Sequence, residues 1–287
     1  MKKLISLFLS VSVLLLAACS KQPDTASSEQ KNDAAGLQTV VIASTGSDAD
    51  IWRHIASLPE TKAAGIKLEV KNFTDYVAMN TAVANKEVDL NAFQSYAYLV
   101  AFKDKIAPVS TTYLEPMGIY SNKVKKVEEF AQGATIAIPN DGANESRALL
   151  LLQSAGLIKL KPDFDPVKGT PADIIENSKK IVIKPIQMAT AVRVKDEVDA
   201  ILLGNTLAME GGLNVLKDAI FYEPIDQSTK LNINILATAE SRKDDPVLQK
   251  VGALYHTEAV KQYVQEHFAG TKVDVNKPTS YLTEANP

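Results

Sequence analysis

Short apolar runs and amphipathic stretches alternate along most of the chain. Residues 39–44 read as a buried strand, followed by a turn at Gly46, Ser47 and Asp48 and a helix from about Asp50. Residues 67–73 alternate apolar and polar as a second strand, and 76–85 carry helical periodicity. Val88, Asp89 and Leu90 predict a brief strand before a helix at 95–102. The rhythm restarts with a strand at 134–139, a helix at 144–155, a strand at 181–183, a helix at 188–195 and a strand at 198–203. A last strand at 232–238 and two amphipathic helices, about 246–255 and 258–268, close the chain. Such strand–helix–strand units predict an α/β fold of mostly parallel sheets flanked by helices. Two lobes are the simplest parse: 37–117 plus 229–287 for the first and 118–228 for the second. Two strands crossing between them, near 116–121 and 227–232, would form a hinge.

The N-terminus is patterned differently. Met1, Lys2 and Lys3 precede an apolar stretch from Leu4 to Leu16 broken only by serines, and Ala17, Ala18 and Cys19 follow. That order is an export signal, too short for a membrane-spanning helix. A cysteine at this place is where bacterial lipoproteins are cut and lipidated, which makes 1–18 the leader and Cys19 the lipid site; the alternative is an ordinary signal peptide with a chance cysteine. Cys19 is the only cysteine of the 287 residues, so the exported domain has no disulfide framework. Lipid there would anchor the protein at the cell envelope, on the periplasmic face or the cell surface, without a spanning helix. Residues 20–36 are rich in Ser, Gln, Asp, Lys and Ala, and with Cys19 they read as a flexible tether.

Charge and chemistry narrow the function. The formal charge of −3 becomes −5 once the leader removes Lys2 and Lys3, with the signs well mixed, so nothing suggests a nucleic-acid face. His54, His256 and His267 lie far apart on predicted helices, where surface or satisfied core positions are expected. There is no Gly-x-Ser-x-Gly elbow, phosphate loop, dinucleotide fingerprint or metal-ligand spacing, so neither an enzyme nor a cofactor is expected. At 138–147 a strand ends at Pro139, Asn140 to Ala143 turn the chain, and a long helix begins. Its free N–H groups and the Arg147 guanidinium could together hold a carboxylate. Equally, Asp141 or Asn144 could cap the helix while Arg147 forms an ion pair. Phe73, Tyr76, Phe93, Tyr96 and Tyr98 cluster around predicted strand ends and helix starts, where open α/β sheets bind ligands, although core packing explains such aromatics too.

Across these same residues the chain resembles the NlpA-type lipoproteins, the methionine-binding solute receptors of ABC importers. The matching stretches are 73–77 with Asn80, 88–94, 115–121, 137–141 with Asn144 and Arg147, then 147–153 and 156–160. The resemblance implies a two-lobed periplasmic-binding-protein fold of type II with an amino acid, L-methionine first, held in the cleft. It implies that Arg147 clamps the ligand carboxylate, Asn234 bonds the amino-acid backbone, and Tyr76, Phe93 and Tyr98 line the side-chain pocket. Asn144 belongs to the same constellation. The chain also departs from the family pattern. Ser95 stands where a histidine is common, Ala97 replaces a proline, Asn205 follows Gly204 where the family has its asparagine one position earlier, and Asp48 replaces a histidine. Asp48 could face a ligand ammonium or a basic side chain, so a different amino acid, a cationic one or a short peptide is the competing ligand. A monomer serving a permease–ATPase complex is expected; a surface lipoprotein or adhesin on a degenerate receptor scaffold is the competing class. A hydrolase and a metal receptor are disfavoured by the residues present.

Overall fold

A computed structural model describes residues 36–102, 105–225 and 229–284. The leader, Cys19 and most of the tether lie outside the described residues. The chain begins with β1 (Gln38–Ser44), α1 (Gly46–Ser57), α2 (Pro59–Ala63), β2 (Ile66–Asn72), α3 (Tyr76–Ala84), β3 (Leu90–Ser95), α4 (Tyr96–Phe102), β4 (Ile106–Thr111) and β5 (Tyr113–Leu114). It continues through β6 (Met117–Tyr120), β7 (Thr135–Pro139), α5 (Gly142–Ser154), β8 (Lys159–Leu160), β9 (Ile174–Glu176) and β10 (Val182–Ile186). Next come β11 (Ala200–Gly204), α6 (Asn205–Glu210), α7 (Val215–Asp218) and β12 (Phe221–Tyr222). The return segment holds β13 (Asn234–Ala239), α8 (Pro246–Tyr255), α9 (Glu258–Phe268) and β14 (Val273–Asp274).

Two five-stranded sheets organise the lobes, in the orders β2-β1-β3-β13-β4 and β10-β7-β11-β6-β12. Each is mixed rather than mostly parallel. In the first, β1 runs parallel to β2 and β3, whereas β13 is antiparallel to β3 and β4. In the second, β7 is parallel to β10 and β11, whereas β6 is antiparallel to β11 and β12. The reversals have one cause. The parallel pairs come from local strand–helix–strand crossovers, while β13 and β6 enter their sheets after the chain has passed from the other lobe.

Other differences are local. The strand expected at 88–90 begins at Leu90 and runs to Ser95, because the polar side chains of Asn91 and Gln94 point into a buried network and hide the strand pattern. The stretch at 188–195 is a 3-10 helix, Met188–Val194, rather than an α-helix. The strand at 232–238 is not the last, since β14 pairs with β5 after the two closing helices.

Each sheet has its own core. Ile42, Trp52, Ile55, Leu90, Leu248, Val251 and Phe268 pack α1, α8 and α9 on the first sheet. Ile136, Ile138, Leu149, Leu152 and Leu202 pack α5 on the second. The lobes also touch each other. Ala97 and Tyr98 of α4 cluster with Ala143 of α5, Val167 and Leu231, and Met209 of α6 packs against the first core.

Close packing of α8 on β4 is testable at Gly252. A Cβ there would lie 2.7 Å from the Ser110 Cβ and 3.1 Å from its Oγ, so both backbones would have to shift. Gly252→Val is expected to lower the unfolding free energy by about 1–3 kcal/mol. Urea denaturation measures it, and an unchanged midpoint would refute the contact.

Candidate ligand-binding cleft

Between the lobes lies a pocket lined by residues that the sheet ends and helix starts deliver. α3 presents Tyr76 in its first turn, behind a cap in which Asp75 accepts from the Ala78 N–H at 2.7 Å. Phe93, Gln94 and Ser95 come from the end of β3, where pairing with β13 runs from Gln94 opposite Ile235 to Ala92 opposite Leu236. The skipped residue, Phe93, sits at a bulge, which re-aims side chains that strict alternation would send to opposite faces. Tyr98 follows on α4, its N–H donating to Ser95 Oγ at 3.3 Å. The three rings pack on one another: Tyr76 and Phe93 are 5.1 Å apart, Phe93 and Tyr98 5.7 Å at 74°, Tyr76 and Tyr98 6.2 Å at 88°. Burial, then the charges of Asp141 and Asp75, push the Tyr98 phenol up to about 12. Burial likewise pushes Tyr76 up. Both hydroxyls therefore stay neutral at physiological pH.

A buried amide network fixes this wall from behind. Gln94 Nε2 donates to Asn80 Oδ1 and Asn91 Oδ1, each at 2.8 Å, Asn91 Nδ2 donates to Asn80 Oδ1 at 2.8 Å, and Asn80 Nδ2 returns to Gln94 Oε1 at 3.0 Å. Such a network is rigid because every opened bond would strand a polar group away from water.

The opposite wall carries charge. Arg147, on α5, is buried, and its guanidinium is already engaged: Nε is 2.9 Å and Nη2 2.5 Å from the Glu223 carboxylate, and Nη2 also donates to the Glu115 carbonyl at 2.8 Å. The fork that the sequence reading offered to a ligand carboxylate is thus filled by Glu223. Among the described residues, Nη1 makes no hydrogen bond, and Arg147 lines the pocket. The start of α5 is likewise occupied, because Asp141 caps it by accepting from the N–H and the side chain of Asn144, at 3.2 and 2.8 Å. Asn144 lines the pocket.

Asp48 lines the floor but does not present a free charge. Its Oδ1 accepts from Tyr113 Oη at 2.7 Å and from Lys272 Nζ at 2.9 Å. Lys272 also donates to Glu115 Oε2 at 2.7 Å and to Thr206 Oγ1 at 2.7 Å. Asp48, Glu115 and Lys272 together carry one more negative than positive charge. Asn205 is another correction: it is fully buried behind the wall, its Nδ2 donating to Thr271 Oγ1 at 3.0 Å and Glu115 at 3.2 Å, while Gly204 and Thr206 line the pocket. Asn234 lines the pocket; it is 6% exposed, and its side-chain amide makes no hydrogen bond among the described residues.

Sequence reasoning missed Thr45, Gln94, Glu115, Met188, Thr206 and Leu207 on the pocket wall, and Glu223 and Lys272 behind it. Gln94 and Glu115 stood in the matching stretches, as polar residues with no role assigned. Lys272 gave no local signal, since lysines are rarely buried. The free space at the bottom is about 50 Å³, and an outer cavity of about 480 Å³ continues from it past Thr45, Tyr76, Met188 and Leu207. The outer cavity falls within the size range of small-molecule sites. Asp75, Asp141, Arg193 and Glu210 stand on its walls. The histidines lie elsewhere: His54 and His267 sandwich the Tyr263 ring at 4.1 and 4.0 Å, and His256 bonds Asp274 at 2.6 Å. Among the described residues no group of His, Cys, Asp and Glu could hold a metal ion, and no helix is long and apolar enough to cross a membrane.

With this geometry in view, comparison with known proteins is specific. The NlpA lipoprotein family is matched over residues 40–276. The chain belongs to that family. A probable D-methionine-binding lipoprotein MetQ of Pasteurella multocida is 35% identical over 272 residues, covering 93% of this chain and 96% of that protein. Outer membrane lipoprotein 2 of Mannheimia haemolytica is 38% identical, covering 94% and 97%. A nutrient-binding protein from Burkholderia cenocepacia bound to methionine superposes with a TM-score of 0.76 at 34% identity, covering 82% of this chain and 99% of that one. Among these NlpA lipoproteins the α/β fold with two lobes is therefore shared, while the charge pairing of the cleft is read from this chain's own residues.

One cleft carboxylate yields a pH prediction. Glu210 of α6 lies over Gly46, the first residue of α1: a Cβ on Gly46 would sit 1.5 Å from Glu210 Oε1, and φ there is +47°. Burial, then the Asp48 charge, hold the Glu210 carboxyl above its ordinary range. The folded state therefore keeps this proton to higher pH than the unfolded chain. That stabilisation is complete below the unfolded-state pKa and is lost as pH rises through the folded value. Glu210→Gln should flatten part of the decline in stability between acid and neutral pH, as measured by urea unfolding across that range. Superimposable profiles for the variant and the parent would count against it.

Proposed function

We propose that the protein is the solute-binding lipoprotein of an ABC importer, anchored through lipid on Cys19, and that it captures methionine or a closely related amino acid between its lobes. The observation that carries this reading is the pairing, in one cleft, of uncommitted donors with an aromatic wall. Arg147, whose Nη1 makes no hydrogen bond among the described residues, and Asn234 line the same pocket as Tyr76, Phe93 and Tyr98. A ligand carboxylate reaches Arg147 through Nη1 alone, as a charge-assisted hydrogen bond rather than a bidentate clamp. The surplus negative charge of Asp48 and Glu115 suits the ligand ammonium, and the three rings suit an apolar or thioether side chain. Methionine is the first choice because relatives are named for it and one related structure holds it. The reading is of a receptor: among the described residues lining the cleft, Arg147 and the carboxylates of Asp48 and Glu115 are engaged in ion pairs and hydrogen bonds. The chain is expected to work as a monomer with a permease–ATPase partner.

A second reading has its own observation. Asp75, Asp141 and Glu210 on the outer walls face a single basic residue, Arg193, so a cationic side chain reaching outward would meet a favourable field.

Both are tested on ligand-stripped protein by calorimetric titration with methionine, lysine, arginine and short peptides. Asn234→Ala should weaken the preferred amino acid by about 10- to 100-fold, the cost of stranding hydrogen-bonding groups of a buried ligand. Arg147→Lys, which keeps the charge and loses the planar fork, should weaken it as well. Affinity equal to the parent in both variants would remove the amino-acid reading, and binding of no solute would turn attention to a surface role.

A further inference from the structure

The floor of the cleft is organised by a side chain that does not itself line it. Lys272 lies just after α9, in the segment that belongs with the first sheet, and its side chain has no exposure at all. An ammonium has three N–H donors, and this one has three partners on three different parts of the molecule. They are Asp48 of α1 at 2.9 Å, Glu115 between β5 and β6 at 2.7 Å, and Thr206 of α6 at 2.7 Å. The Tyr113 ring lies 4.0 Å from Nζ. Thr206 Oγ1 is in turn 3.1 Å from both Glu115 oxygens. The neighbouring residue repeats the link across the lobes, since Thr271 Oγ1 accepts from Asn205 Nδ2 at 3.0 Å. Two consecutive residues of the first lobe thus dock on the first turn of α6 in the second, and Asp48, Glu115 and Thr206 all line the ligand pocket.

We propose that Lys272 is a positioning residue for ligand capture: its ammonium latches α6 to the first lobe and thereby holds the pocket walls around the bound solute. The inference rests on the cleft being the solute site. Two of its bonds, to Asp48 and Glu115, stay within the first lobe and the crossing beside it, so they survive when the lobes part. The third, to Thr206, the Thr271–Asn205 link and the bonds from Thr206 and Asn205 to Glu115 are the ones that separation breaks. Opening therefore costs hydrogen bonds to a charged group without stranding the charge, which makes the latch reversible. Ligand entry needs the open form, whereas escape needs the latch to break, so its effect falls on dissociation more than on association.

The test separates the latch from general stability. Thr206→Val removes the acceptor for Lys272 and the hydroxyl that donates to Glu115, while the Lys272 bonds to Asp48 and Glu115 stay in place. Asp48→Asn with Lys272→Met removes an ammonium and a carboxylate together, which keeps the net charge of the set and leaves Glu115 bonded to Thr206 and Asn205. Stopped-flow dissociation of methionine should be about 10- to 100-fold faster in Thr206→Val, with the association rate within a few-fold of the parent. A second readout needs no ligand: spin labels at Lys62→Cys and Lys168→Cys, in a Cys19→Ala background, report the distance between lobes. Both latch variants should shift that distribution towards longer separations. Parent-like dissociation and an unchanged distribution would overturn the latch. If the parent binds no amino acid, the ligand assignment fails, and the label distances still decide whether Lys272 holds the lobes.

Discussion

Where the chain passes between its lobes, a single carboxylate, Glu223, joins nearly everything. It accepts from Arg147 of α5 and from the Met117 N–H at 2.8 Å, so it ties the return crossing both to the second lobe's long helix and to the outward crossing. Arg147 completes the loop by donating to the Glu115 carbonyl. Burying such a pair is expensive, since each ion loses several kcal/mol of hydration, and only good geometry with further hydrogen bonds offsets it. Those conditions hold here, with Nε and Nη2 both engaged. The consequence for binding is that the guanidinium cannot swing. Arg147 lines the pocket on a side chain already fixed in place, and groups held in place before binding spare the cost of ordering them.

The aromatic wall reaches the same end without charge. Tyr98 meets both Tyr76 and Phe93 edge to face, those two rings tilt against each other, and the amides of Asn80, Asn91 and Gln94 behind them leave β3 and α3 one arrangement. Buried polar networks of this kind specify a unique packing because partial satisfaction is worse than none. One wall of the cleft is thus held by hydrogen-bonded amides and the other by ion pairs. Arg147 Nη1 and the Asn234 amide are left without hydrogen-bond partners among the described residues, beside the aromatic wall.

Much of the architecture was legible in the order of apolar and polar residues. β1, β2, α3, α5 and the closing helices fall within a few residues of expectation, and the helices Pro246–Tyr255 and Glu258–Phe268 match it at both ends. β3 was not legible, because Asn91 and Gln94 are polar yet buried, and periodicity reads a buried amide as solvent-facing. Sheet direction was not legible either, since it depends on which lobe a strand arrives from rather than on its own residues. In the cleft, aromatic and arginine positions could be read from residue type and family resemblance. Their commitments could not: Arg147 looked free for a carboxylate and is held by Glu223, and Asn205 looked available and is buried against Thr271.

Asp48 shows why. Read locally, a carboxylate at the start of α1 beside a ligand site is a free negative charge that would select a cation. Its partner, Lys272, stands 224 residues later, in a segment whose composition gives no hint of burial. Pairing converts Asp48 from a selector into part of the floor, and the surplus charge passes to a three-residue set in which Glu115 counts as much as Asp48. Over a few ångströms, a charge placed beside the set would respond to that sum rather than to any one member. Specificity in such a site is therefore a property of the charge left over after distant segments have met, and it changes whenever either end of a pair is replaced, even if every residue touching the ligand stays the same.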